Sequence, residues 1–120
     1  MSINPSNLCQ IEIPAIDLEK SITFFEQVFQ WKAVPIEIHQ YIVLETPKEC
    51  PFGISLIPVS KGSSGRSVTL YFQVEDLAQI ASLAERYEGR VIAPERELPG
   101  YGAVQIISDP SGNKFGLFQG

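Results

Sequence analysis

Gln10 and Glu12 alternate with Ile11 and Ile13 near the start of the chain, and a period of two puts them together on one face of a strand. On that face Glu12 is either a general base, its pKa raised if its surroundings are apolar, or a solvated or Lys-paired carboxylate. Glu37, His39 and Tyr41 share the parity of a later strand-like run. An acid, an imidazole and a phenol in line describe either a reactive face or an exposed sheet edge. Thr69, Tyr71 and Gln73 share another face, and Phe118 shares the parity of Gly116. These non-ionic side chains suit stacking on a flat organic ligand, or else they fill the space themselves. With one histidine in the chain and no Gly-x-Ser-x-Gly, acyl-transfer chemistry is disfavoured. Cys9 and Cys50 have 40 residues between them and no Cys-x-x-Cys, so they read as two reduced thiols rather than a zinc or redox pair.

The segments that carry these residues come as a repeat. Gln10 to Leu18 lines up with Thr69 to Leu77 at a constant offset of 59, each an alternating run closed by Asp-Leu. Asp17 and Asp76 can cap the helices that follow. Leu18, Ile22, Phe25 and Phe29 form the apolar stripe of the first helix, which should pack on Ile11 and Ile13, with Trp31 beneath the helix end. Leu77, Ile80, Ala84 and Tyr87 form the second stripe, with Gly89 as its stop. Pro35 ends the first helical region, and strands follow at 36–40, 41–45 and 52–57. In the second half Val91-Ile92, Gly102 to Ser108 and Lys114 to Gln119 complete the set, with Pro94 and Pro99-Gly100 marking a loop and Asp109-Pro110-Ser111-Gly112-Asn113 a tight hairpin. Pro58 to Ser67 is a short linker. The fold class is therefore α+β: tandem βαβββ modules at 6–60 and 66–120, sharing one core in a single domain over 1–120.

A net charge of −5 (9 Lys and Arg against 14 Asp and Glu) without basic clusters argues against nucleic acid or acidic lipid as partners. No apolar run approaches membrane-spanning length and Met1 to Pro5 lacks signal-peptide character, which predicts a cytoplasmic protein.

The doubled βαβββ unit, the Asp-Leu before each helix, Phe29-Gln30-Trp31 at the first helix end and Asp109-Pro110-Ser111-Gly112-Asn113-Lys114-Phe115-Gly116-Leu117 resemble the glyoxalase / bleomycin-resistance / extradiol dioxygenase (vicinal oxygen chelate) superfamily over the whole chain. Short lactoylglutathione-lyase-related members are similar at the first strand, where Cys-His-Phe-Glu-Ile-Pro stands against Cys9-Gln10-Ile11-Glu12-Ile13-Pro14. The resemblance implies a sheet-lined cleft with helices outside, a homodimer, and a divalent metal held at positions that map to Gln10, Gly53, Thr69 and Gly116. Gln is a known substitute for His at the first of these. Two glycines and a threonine are a poor donor set, so no metal or other cofactor is expected, and removal of the carboxylates at Gly53 and Gly116 opens room above the sheet. Glu95 to Gly102 resembles the mobile loop beside the cleft. The resemblance and the residues together point to a protein binding a small organic molecule through Gln10, Glu12, Gly53, Thr69, Tyr71, Gln73, Gly116 and Phe118. The rival readings are a lyase or isomerase with a non-standard metal set, in which Glu12 is catalytic, and a non-catalytic interaction subunit.

Overall fold

Asp17 and Asp76 each leave the chain in an extended conformation, and their carboxylates accept the backbone N–H of Lys20 and of Gln79. Each satisfies one of the free donors that open a helix. In the computed structural model, which describes residues 3–35, 42–62 and 67–120, these caps start α1 (Leu18–Phe24) and α2 (Leu77–Arg86). The strands are β1 (Leu8–Ala15), β2 (Ala33–Pro35), β3 (Ile42–Leu44), β4 (Gly53–Pro58), β5 (Thr69–Gln73), β6 (Arg90–Leu98), β7 (Gly102–Ser108) and β8 (Lys114–Gln119).

Two compact units divide the chain, one of Gln10–Val68 and one of Met1–Cys9 with Thr69–Gly120. They repeat one topology. In the first, β1 runs parallel to β4, which is antiparallel to β3, which is antiparallel to β2. In the second, β5 runs parallel to β8, β8 antiparallel to β7 and β7 antiparallel to β6. Each unit has its own core. Leu44, Ile54 and Leu56 form the first, with Ile11, Ile13, Leu18, Ile22, Phe25 and Trp31 packed against it. Val74, Leu77, Ile80 and Leu117 form the second, with Ile3, Ala103 and Ile107. The α+β class and the βαβββ repeat agree with the sequence reading, and Leu18, Ile22 and Phe25 of the first stripe pack against the same buried cluster as Ile11 and Ile13.

Five details depart from it. After Phe24 the first helix widens into an i→i+5 turn over Phe25–Phe29, closed by Gln30 in the left-handed region at φ 61°, ψ 33°. One extra residue in a turn rotates the succeeding side chains off the stripe, and Phe29 is 47% exposed instead of buried. Tyr87 is also outside its stripe, because α2 ends at Arg86 and the Tyr87 ring lies in solvent beside the Arg86 guanidinium. Glu88, at φ 71°, takes the left-handed position assigned to Gly89. Gly89 is needed for another reason, since a β-carbon there would stand 2.5 Å from the Ser108 carbonyl. Finally, Glu95 to Leu98 is strand, not loop. β6 crosses Pro94 through irregularities between Val91 and Ala93 and between Ala93 and Arg96. A bulge on an edge strand is where a residue without an N–H is tolerated. Nor does Pro35 end the helical region, which closes at Gln30; Pro35 lies in β2 and pairs with Ile42 of β3. The strand expected at 36–40 lies outside the described residues.

Candidate functional site

In the first unit the register pairs Gln10 with Gly53 and Glu12 with Ser55 across the parallel β1–β4 ladder, while Ile11 and Ile13 pair with Ile54 and Leu56. Alternation sends the second set into the core beneath α1 and leaves Gln10, Glu12, Gly53 and Ser55 on the opposite face. Gln10 Nε2 donates to Ser55 Oγ at 3.0 Å, and Ser55 is buried. The amide also closes the space over Gly53. A β-carbon on Gly53 would lie 2.6 Å from Gln10 Oε1, so any side chain there must displace Gln10. Ser55 was not singled out from the sequence, although its parity with Gly53 was the available signal. Glu12 is half-buried on this face.

In the second unit Tyr71 pairs with Gly116 and Gln73 with Phe118. Phe72 pairs with Leu117, which belongs to the core. Thr69, Tyr71 and Phe118 are half-buried and Gln73 is exposed. The room expected above Gly116 is filled. A β-carbon on Gly116 would run into the Tyr71 ring at Cδ1, Cε1 and Cγ. The Cys9 thiol donates to the Tyr71 carbonyl at 3.5 Å, and burial raises its pKa above the usual thiol value. Such a thiol is a poor nucleophile. Cys50 donates to the Phe52 carbonyl at 3.2 Å, and neither cysteine is in a disulfide.

These contacts test whether the positions implied for a metal fit one. By the repeat, Gln10 and Glu12 correspond to Thr69 and Tyr71, each 59 residues on. Gly53 faces Gln10, whereas Gly116 faces Tyr71 and not Thr69. The two glycines are therefore not equivalent, and each is covered by the side chain across from it. Among the described residues no three His, Cys, Asp or Glu side chains converge as metal ligands would. The residues at Gln10, Gly53, Thr69 and Gly116 do not fit a metal centre. Glu37, His39 and Tyr41 lie outside the described residues.

A second buried polar group, besides Ser55, escaped the sequence reading. Gln105 sits between Ala103 and Ile107 on the core side of β7, 6% exposed, with its Oε1 unpartnered. An amide flanked by core residues at the same parity was the signal.

Comparison with known proteins places this geometry. The sequence model of the Glyoxalase/Bleomycin resistance protein/Dioxygenase superfamily matches residues 7–117. A protein of Bacillus subtilis (strain 168) described as a probable trivalent organoarsenical cleaving enzyme is 32% identical, over 90% of this chain and 76% of its own. Among solved structures, methylmalonyl-CoA epimerase from Mycobacterium tuberculosis superposes with a TM-score of 0.68 at 19% identity, over 94% of this chain and 87% of that one. A glyoxalase/bleomycin resistance protein/dioxygenase superfamily member from Vibrio splendidus gives 0.66 at 14% identity, over 92% and 96%. At these identities the two structures speak for the fold, and the sequence match speaks for the family. The chain belongs to the Glyoxalase/Bleomycin resistance protein/Dioxygenase superfamily.

Proposed function

We propose that this protein binds a small organic molecule through the polar faces at Gln10–Glu12 and Thr69–Gln73, without the metal of its superfamily. The observation that carries this reading is the covering of Gly53 by Gln10 and of Gly116 by Tyr71, which replaces ligand positions with an amide and an aromatic ring. An amide, a carboxylate, a hydroxyl and a phenol suit a carbonyl- or hydroxyl-bearing molecule with a flat portion to lie against Tyr71. Two measurements on the purified, tag-free protein test it. Plasma mass spectrometry is expected to find well under one equivalent of zinc, nickel, manganese or iron, and a metabolite screen read by thermal shift is expected to yield ligands whose binding is weakened by Gln10→Ala. For Glu12→Gln, weakening is expected only with ligands that carry a donor or a positive charge. A stoichiometric metal lost on Gln10→Ala overturns the reading.

A second reading, a lyase or isomerase, is favoured by the 32% identity with the organoarsenical cleaving relative. Turnover of a trivalent organoarsenical that needs an added divalent cation and disappears in Glu12→Gln would establish it in place of the first.

A further inference from the structure

On the helix-covered side of the first unit lies a cavity of about 610 Å³ lined by Ile11, Trp31, Thr46, Cys50, Phe52 and Ile54, with Lys32 and Glu45 at its mouth. We propose that this cavity is a second small-molecule site, which takes a planar, uncharged aromatic molecule against Trp31 and Phe52. It goes beyond the reading of the polar face. Ile11 and Ile54 pair with each other and belong to the core side, so the cavity and the Gln10–Ser55 pair stand on opposite faces of the same two strands.

Volume, lining and charge identify the occupant. Small-molecule sites span roughly 300–1,000 Å³ and combine an apolar lining with a few placed polar groups. Ile11, Ile54, Trp31 and Phe52 supply the apolar lining. The wall is pre-formed, because Trp31 stacks on Phe25 at 5.7 Å with rings 5° apart and meets Phe29 at 4.7 Å. Its backbone N–H is tied to the Phe25 carbonyl at 3.0 Å. The opposite rim is joined to it, since Glu45 N–H donates to the Lys32 carbonyl at 2.7 Å. Lys32 and Glu45 are both exposed and opposite in sign, so the mouth presents no field to select a phosphate, a carboxylate or an ammonium. The Cys50 thiol is engaged with the Phe52 carbonyl. Thr46 is then the lining hydroxyl that can meet one polar atom of the ligand, while aromatic surface meets the rest.

Trp31 is the sole tryptophan of the chain, so indole emission reports on this cavity alone. The probe is 4-nitrobenzyl alcohol, a neutral nitroaromatic that quenches indole on contact. Titration of the full chain is expected to give saturable quenching, and Thr46→Phe, which fills the cavity, is expected to weaken it by about tenfold or more. Linear, unsaturating quenching like that of free tryptophan overturns the proposal, as does saturable quenching that Thr46→Phe leaves unchanged. Amide and indole NMR shifts of the native chain give a reading that needs no variant. Shifts at the Trp31 indole N–H, Phe52 and Ile54 support the cavity, and shifts confined to Gln10, Glu12 and Ser55 overturn it while leaving the polar-face reading intact.

Discussion

Adding one methyl group at Gly116 sets a carbon against the Tyr71 ring, in a place where the β5–β8 ladder holds both backbones. Overpacking of this kind costs about 1–3 kcal/mol. Gly116→Ala is therefore expected to lower the urea midpoint. The pair Tyr71→Ala/Gly116→Ala should lose less than the two single changes summed, with a coupling of roughly 0.5–3 kcal/mol. Additive losses would show that Tyr71 does not lie over the glycine. Gln105 makes the opposite case. An acceptor buried without a partner costs about 1–3 kcal/mol, and Gln105 Oε1 is one. Gln105→Met keeps the length and removes the amide, so the variant should be as stable as the parent or more so by denaturant melt. A loss of more than about 1 kcal/mol would mean that the amide has a partner.

Among the elements, the hairpin between β7 and β8 is organised by one side chain. Asp109 accepts from the Asn113 side chain at 2.9 Å, from the Asn113 N–H at 2.8 Å and from the Ser111 N–H at 3.0 Å, and Gly112 turns the chain at φ 88°. The Asn113 side-chain bond, followed by the backbone bonds, holds the Asp109 carboxyl below its usual value of 3.8. The folded pKa is the lower one. Its contribution to stability is thus present above the unfolded value and is lost as pH falls through the folded one. Asp109→Asn should be less stable than the parent at neutral pH, and the gap should close in acid below the usual carboxylate range. A gap that stays constant with pH would remove Asp109 from this role. The first helix carries a milder prediction. Phe25 packs against the Leu44–Ile54–Leu56 cluster but is only half-buried, so Phe25→Ala should cost less than the about 3–5 kcal/mol of a fully buried ring. Thermal denaturation measures it.

Over the whole molecule, the parts most legible in the sequence were those written as periodicity. The offset of 59, the Asp caps and the Ile11/Ile13 parity led to the repeat, the helices and the first core. The features that escaped depend on the third dimension. The left-handed stop at Gln30 and the widened turn before it leave an α-helical pattern in sequence, and only packing shows that Phe29 has rotated outward. Pro94 reads as a break until a bulge on β6 takes it in. The shared strand faces of Gln10 with Glu12 and of Thr69 with Tyr71 were recognisable by parity. The Ser55 contact and the covered glycines were not, because a glycine records the absence of a side chain without naming the neighbour that requires it.

The parallel pairing that sets Gln10 on Gly53 and Tyr71 on Gly116 also orders events in time. Ser108 and Lys114 pair six residues apart (114 − 108), whereas Gln10 reaches Gly53 across 43 (53 − 10) and Tyr71 reaches Gly116 across 45 (116 − 71). Closing a longer loop costs more entropy before any contact rewards it. The β7–β8 hairpin is thus expected to nucleate the second unit and β5 to arrive last. In stopped-flow refolding, Asp109→Asn should slow the folding limb, while Gly116→Ala should chiefly quicken unfolding. The residues of the polar faces then come into register only at the final step, so a partly folded chain has neither an amide over Gly53 nor a ring over Gly116.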